Sequence, residues 1–258
     1  MKKKYVKDMK KKRILAVGDL HGRHEIAYKA IQLFKNKKCD KLIFIGDYCD
    51  SFNRTNDDIL ETLKLVLAIK QEYPDDVILI LGNHDISYKY TPDFECTGQR
   101  AELLPTLKYF FEENSKYFQI AHLEVDGKNK YLFTHAGVQK KWFNKYKNRI
   151  AHYEIYGFDL AGTLNCIDQT RDRWILNELG TKRGGIRYDY GGPTWCDKTE
   201  MESYGPIPGY HQIVGHTHIN HIEKVTKFEG DKHYENTSVT FIDVLSDLKE
   251  PQFYELKI

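Results

Sequence analysis

The sequence has no apolar run approaching the roughly 18 residues that a membrane-spanning helix requires, so no such span is expected. Its lysine-rich start, MKKKYVKDMKKKR, has no apolar core behind it, because Ile14–Val17 is short and runs straight into GDLHG. No signal peptide is read there, and a cytoplasmic location is the expectation. CxxC is missing, and the cysteines Cys39, Cys49, Cys96, Cys166 and Cys196 are odd in number and scattered. That excludes a disulfide framework or zinc knot and fits free thiols in a reducing compartment. The absence of GxSxG disfavours a serine hydrolase. Neither sign of charge dominates: 39 Lys and Arg stand against 37 Asp and Glu. A dedicated nucleic-acid binder usually carries a marked basic excess, so nucleic acid is an unlikely partner. The local excess over residues 1–12 is read as a flexible, solvated basic tail. Internal repeats and low-complexity linkers are absent too, and 258 residues suit a single α/β domain.

What the chain does have is five short apolar runs, each ending in a polar, metal-competent cluster. They are RILAVGDLHG (13–22), KLIFIGDYCD (41–50), DVILILGNHD (76–85), KYLFTHAG (130–137) and HQIVGHTH (211–218). Short, β-rich runs with glycine at the end read as buried strands, and continuous apolar character suggests cover on both faces. Between the first three lie helical patterns at 25–34 and 57–72, the second with Thr55 or Asn56 as N-cap. The order β-α-β-α-β predicts parallel pairing, which gathers ligands beyond the carboxyl ends of the strands. A further helix is expected over 99–114. Residues 139–208, rich in aromatics, charges and glycines, are expected to form helices and loops capping the site. FQIAHLEV, SVTFIDV and QFYELKI return to strand character and are expected to build a second sheet against the first.

Hard and borderline divalent ions take carboxylates, amide oxygens and neutral imidazoles. Asp19 and His21 can point at one ion from a turn, Asp47 can bridge two ions with its two oxygens, and Asn83 offers an amide oxygen. His135, His216 and His218 complete the set, with His218 read either as a ligand or as a hydrogen-bonding support. Two divalent ions against two Asp leave a site attractive to phosphate, and such a pair can activate water and clamp phosphate oxygens. His84 follows Asn83 and lies beside the metals with its ring expected to point elsewhere. It is expected to protonate the leaving oxygen, with Asp50 orienting its ring. Any one GD or GH pair is commonly just a turn, but their joint occurrence at five strand ends is not.

GDLHG, GDYCD, GNHD, THAG and GHTH resemble the calcineurin-like metallophosphoesterases, nearest to their serine/threonine phosphoprotein phosphatase branch with its bacterial and phage-type members. The resemblance implies an α/β fold: a two-sheet β-sandwich flanked by helices in four αββα layers. It implies two divalent ions, manganese first, with iron, zinc, nickel or cobalt as other occupants. Asp19, His21 and Asp47 would hold one, joined by His218; Asp47, Asn83, His135 and His216 would hold the other. His84 matches the family's proton donor and Asp50 its carboxylate partner. The branch usually reads GDYVDRG and GNHE; here Ser51 replaces the phosphate-gripping Arg and Asp85 the Glu. Arg100 or Arg187 is the expected replacement grip, since a bidentate guanidinium suits phosphate. The expected activity is hydrolysis of phosphate monoesters on a phosphorylated substrate, with the serine/threonine phosphoprotein class first. The alternatives are a phosphodiesterase or dinucleoside polyphosphate hydrolase, and a non-catalytic binding protein of the same fold. Trp142, Tyr146, Tyr153, Tyr188, Tyr190 and Trp195 could stack a nucleotide base, but core packing is the favoured reading.

Overall fold

A computed structural model of the chain describes residues 11–229, 232–244 and 251–258; the expected basic tail lies outside these apart from its last two residues. The opening segment alternates as the apolar pattern predicts: β1 (Arg13–Val17), α1 (His24–Lys35), β2 (Lys41–Phe44), α2 (Asn56–Glu72) and β3 (Val77–Ile80). Both strand pairs are parallel, with Ile14 opposite Lys41 and Leu42 opposite Val77. Thr55 caps α2 in a reciprocal box: its hydroxyl accepts from Asp58 N–H, and the Asp58 carboxylate accepts from Thr55 N–H.

Three departures from the expected elements have identifiable causes. GNHD is more than a strand end, because Asn83 opens a short helix, α3 (Asn83–Lys89). Asp85 sits at its third position and accepts the Gly82 N–H at 2.9 Å, satisfying a helix-start donor. The helix expected over 99–114 becomes a 3-10 turn, Ala101–Leu103, followed by α4 (Leu104–Glu113). Pro105 lacks an N–H and fits only a first helical turn, so the α-helix starts there.

The third departure is FQIAHLEV, which is cut in two. Its β4 (Phe118–Gln119) pairs with β3 in the first sheet, and its β5 (Ala121–Asp126) opens the second. Asn165, on the later helix α6 (Leu160–Asp168), holds this switch. Its side-chain oxygen accepts the N–H of Ile120 at 2.8 Å and of Ala121 at 2.9 Å, while its amide donates to Ala121 O.

The second sheet runs in the order β5-β6-β7-β9-β8, with β6 (Asn129–Thr134), β7 (His211–Val214), β8 (Glu223–Val225) and β9 (Ser238–Phe241). The first sheet runs β10-β1-β2-β3-β4. QFYELKI therefore does not build the second sheet as expected. Its β10 (Tyr254–Lys257) pairs antiparallel with the open edge of β1, where Leu256 joins Ile14 and Ala16 between the sheets.

That inter-sheet core sets Ile14, Ala16, Ile43, Ile45, Ile78 and Ile80 against Phe133, Ile213 and Ile242. The alternate residues Leu15, Val17, Leu42, Phe44, Val77 and Leu79 pack with α1 and α2, as the period of two requires. α5 (Lys140–Glu154) and α6 cover the far side of the second sheet, and α7 (Lys198–Tyr204) adds Met201 against Val214 and Phe241. The result is the four-layer αββα arrangement. Most of 139–208 is thus an outer layer rather than a cap. Trp142, Tyr146 and Tyr190 are buried in it, Tyr153 and Tyr188 are half-buried, and Trp195 stands edge-on to His216 at 5.6 Å.

Candidate metal centre

The loops that follow β1, β2 and β3 meet those that follow β6, β7 and β9. Two glycines let them approach. A Cβ at Gly82 would lie 2.0 Å from Asp47 Oδ1, and one at Gly215 would lie 2.1 Å from Asp19 Oδ1. Only a bare backbone fits against these carboxylates. Four non-glycine residues here take left-handed backbone: His21 (φ +45), Asp47 (+50), Asp50 (+58) and His216 (+64). Such conformations persist only where surrounding contacts enforce them, and they collect at functional sites.

Those contacts fix the ring orientations. His21 Nδ1 lies 3.0 Å from both Cys49 O and Asp50 O, and His135 Nδ1 lies 3.0 Å from Ile45 O. A carbonyl can only accept, so Nδ1 carries a proton and Nε2 is the nitrogen turned into the site. Around His135 Nε2 stand Asn83 Oδ1 at 2.9 Å, His216 Nδ1 at 3.2 Å and Asp47 Oδ2 at 3.3 Å. Asn83 donates its Nδ2 to Cys96 Sγ, which directs its oxygen inward. His21 Nε2 lies 3.7 Å from the same Asp47 Oδ2. Asp19 accepts the His216 N–H at 3.1 and 3.0 Å, tying the first loop to the fifth.

This donor set fits divalent cations by several independent signs. Oxygen and nitrogen atoms face one another at close range, and His216 Nε2 is buried with no hydrogen-bond partner among the described residues. Burial, then the Asp243 charge, pushes Asp19 well above the usual carboxylate range. Burial would lower His135, yet Asp47 and Asp19 raise it to about 9. Burial and the neighbouring His135 push His216 well below its ordinary value. A carboxylate seeking a proton beside an imidazole retaining one marks a cluster short of positive charge. The ligand atoms of Asp47, His135 and His216 lie within 4.8 Å of one another, as do those of His21, Asp47 and His84. Asp47 belongs to both groups, His84 to the first alone and Asp19 to neither.

His84 donates its backbone N–H to Asp47 Oδ1 at 3.0 Å, and its ring Nδ1 lies 2.9 Å from Asp50 Oδ2. The ring is edge-on to His21 at 5.1 Å, and Cys96 Sγ lies 3.4 Å from its Nδ1 and 3.5 Å from its Nε2. Burial lowers the His84 pKa, but Asp47 and the hydrogen bond to Asp50 outweigh it and raise it well above its ordinary value. Asp85, the departure from the family's Glu, is fully buried and accepts from Gly82, Tyr48 and Cys49 N–H, joining the second and third loops.

A cavity of about 380 Å³ opens onto this cluster, with His21, Arg23, Asp50, Phe52, His84, Arg183, His216, His218 and Asp243 in its wall. His218 faces it beside Asp243, outside both three-residue ligand groups.

Neither expected phosphate grip reaches this cavity. Arg100 spends its guanidinium on Ser51 O and Arg54 O, each at 2.6 Å, and on Asn56 Oδ1, where it clamps the 51–56 loop. Arg187 is exposed, with its guanidinium 5.9 Å from the Tyr188 ring. The cavity holds Arg23 and Arg183 instead. Arg183 is aimed by Thr217 Oγ1 at 2.8 Å and by the Asp197 carboxylate, 2.8 Å from its Nε. Arg23 donates to Leu20 O at 3.2 Å. Sequence reasoning passed over Arg23 although it directly follows GDLHG, and it passed over Asp243 although SVTFIDV, like the other runs, ends in a carboxylate.

A 72-residue stretch is 35% identical to a PP2A-like serine/threonine-protein phosphatase, PPG1, of Candida albicans, covering 28% of this chain and 16% of that one. A protein phosphatase 2A catalytic protein of Dictyostelium discoideum is 30% identical over 114 residues, 42% of this chain and 34% of that protein. The symmetrical bis(5'-nucleosyl)-tetraphosphatase of Xylella fastidiosa strain 9a5c is 24% identical over 232 residues, 76% of this chain and 73% of that one. The matched region is thus less than two thirds of either phosphatase relative. Among solved structures, the Escherichia coli phosphoesterase YfcE aligns over 95% of this chain and 87% of its own at 11% identity, with a TM-score of 0.41. A serine/threonine phosphatase from Saccharomyces cerevisiae with similarity to human PP5 aligns over 90% of this chain and 67% of its own at 16% identity, with a TM-score of 0.43. The calcineurin-like phosphoesterase family model matches residues 12–220, a span that takes in all five strand-end clusters, and the chain belongs to that family.

Proposed function

We propose that this protein is a metal-dependent phosphomonoesterase whose two divalent ions, manganese first among the candidates, share Asp47. The observation that carries this reading is the convergence on Asp47. Its Oδ2 lies 3.7 Å from His21 Nε2 and 3.3 Å from His135 Nε2, and Asn83 Oδ1 and His216 Nδ1 stand 2.9 and 3.2 Å from that same His135 nitrogen. When bound, the ions would supply Lewis-acid polarisation of the phosphoryl oxygens and an activated water. The chain's own residues do the rest. Arg183 and Arg23, in the wall of the same cavity, hold phosphate oxygens in place of the Arg that Ser51 supplants. His84, kept protonated by Asp50, gives its proton to the leaving oxygen.

The substrate class proposed first is serine/threonine phosphoprotein, supported by the two phosphatase relatives. A nucleoside polyphosphate is the second reading, favoured by Phe52. This ring is 88% exposed at the cavity wall, where a base could stack on it. The deciding experiment uses chelator-stripped protein with manganese or another divalent ion restored. A phosphoserine peptide, p-nitrophenyl phosphate, bis-p-nitrophenyl phosphate and diadenosine tetraphosphate are compared side by side. Metal-dependent turnover of the peptide and the aryl monoester is expected. Preference for the tetraphosphate moves the reading to nucleotides, preference for the diester overturns the monoester assignment, and no hydrolysis with any metal overturns the enzyme reading altogether.

A further inference from the structure

Asp50 is held from more directions than a partner for one histidine requires. Its backbone carbonyl faces His21 Nδ1, its Oδ2 faces His84 Nδ1, and its Oδ1 accepts from the phenol of Tyr88. His84 and Tyr88 are four residues apart on α3, so both side chains emerge on one helix face. They take the two oxygens of a single carboxylate between them. The Tyr88 oxygen in turn accepts the backbone N–H of Arg100 at 2.7 Å. Arg100 also clamps the loop carrying Ser51 and Arg54, which leads directly out of Asp50. Tyr88 is fully buried, and among the described residues no other bond to its hydroxyl competes with these two.

A carboxylate torsion is broad and roughly two-fold, so one hydrogen bond leaves its plane loosely set. A second bond, on the other oxygen, fixes the plane and therefore the direction in which His84 is held. We infer that Tyr88 is a positioning residue for proton transfer to the leaving group: it sets the plane of Asp50, and through Asp50 the aim of His84 into the cavity. This rests on the phosphoesterase reading above and adds a residue outside the metal and phosphate contacts. The hydroxyl acts only as a hydrogen-bond donor to Asp50 and acceptor from Arg100, and no proton leaves it. Burial, followed by the bond to Asp50, raises its pKa, which keeps it a phenol.

The test compares Tyr88→Phe with Tyr90→Phe. The second variant removes a neighbouring hydroxyl whose bonds run to Asp168, on α6. Each is assayed on p-nitrophenyl phosphate, whose leaving group needs little protonation, and on an alkyl phosphate, whose leaving group needs it. Tyr88→Phe is expected to lower kcat on the alkyl ester about 10- to 100-fold, less than the roughly 100- to 10,000-fold that losing the general acid itself costs, and to change the aryl ester less than threefold, with metal content unchanged. Tyr90→Phe is expected to affect both esters equally and little. A second readout needs no turnover: in ¹⁵N-histidine-labelled, zinc-loaded protein, the Nδ1–H signal lost in His84→Asn identifies the bond to Asp50. It should broaden or vanish in Tyr88→Phe and persist in Tyr90→Phe. Equal losses on both esters, or an undisturbed Nδ1–H signal in Tyr88→Phe, overturn the inference. If the wild type hydrolyses neither ester, the phosphoesterase reading fails, while the Nδ1–H signal still decides whether Tyr88 holds the pair.

Discussion

The two ends of the sandwich gather charge in opposite ways. Where the parallel strands begin, Glu124 of β5 accepts from Lys12 at 2.7 Å, from Lys41 of β2 at 2.6 Å and from His122 at 2.9 Å. These four side chains pair with one another, and the cluster ties one sheet to the other. Where the strands end, Asp19, Asp47 and Asp243 crowd among histidines, His216 Nε2 has no hydrogen-bond partner among the described residues, and four non-glycine residues sit at positive φ. Folding alone would favour the first kind of arrangement. The second is the kind that a bound cation would complete. Satisfied charge is architecture, and charge left short of partners is a site.

The largest effect that separates the two ends is catalytic. Asp47→Asn removes the carboxylate common to both ligand groups. Activity should fall at least about 1,000-fold, roughly 4 kcal/mol of barrier, with bound metal reduced when measured by elemental analysis. Glu124→Gln should leave kcat within about twofold, because its partners lie at the other end of the strands. If Asp47→Asn keeps a tenth of the activity, Asp47 is not the shared ligand.

The next effect is on stability. A ligand present at 100 times its dissociation constant stabilises the folded state by about 2.7 kcal/mol. Chelation should therefore lower Tm by roughly 5–10 °C for a chain of this size, and restoring manganese should recover it. Asp47→Asn should show little of either shift in the same calorimetric scan. A wild-type Tm indifferent to chelator would mean that the crowded end is self-sufficient, and the contrast between the ends would collapse.

The crowded end was also the more legible one. Ligand types at strand ends can be read from spacing alone, because a short buried strand fixes where the next loop emerges. Thus Asp19, Asp47, Asn83 and His135 could be singled out before any contact was known. The satisfied end was invisible. Lys12, Lys41, His122 and Glu124 are far apart in sequence, and charged residues in strands ordinarily face water. Chain reversals were equally opaque. Nothing local in FQIAHLEV tells that it changes sheets at Ile120, since that turn is decided by Asn165 some 45 residues on. Arg100 was misread for the same reason. An arginine near a motif looks like a phosphate grip, and only the fold shows its donors spent on carbonyls of a loop 44–49 residues earlier.

The smallest effect tests whether the quiet end is held by charge or merely by packing. Glu124→Gln keeps the volume and removes the ion. Losing one partner of a buried pair costs about 3–5 kcal/mol when both are fully buried. Lys12 remains 39% exposed, so a loss nearer about 2 kcal/mol, or roughly 4–8 °C in Tm, is expected at pH 7. Burial raises the Glu124 pKa, but the bonds from His122, Lys12 and Lys41 outweigh it and hold the carboxyl below its usual range. A depressed folded-state pKa means that the stabilisation is fully present above the unfolded value, near 4.3. It is lost as the pH falls through the folded one. The Tm gap between wild type and Glu124→Gln should therefore hold at neutral pH and narrow steadily below about pH 4. A gap that stayed constant down to pH 3 would assign the loss to packing, and the amino end would then differ from the site in shape rather than in how its charges are paired.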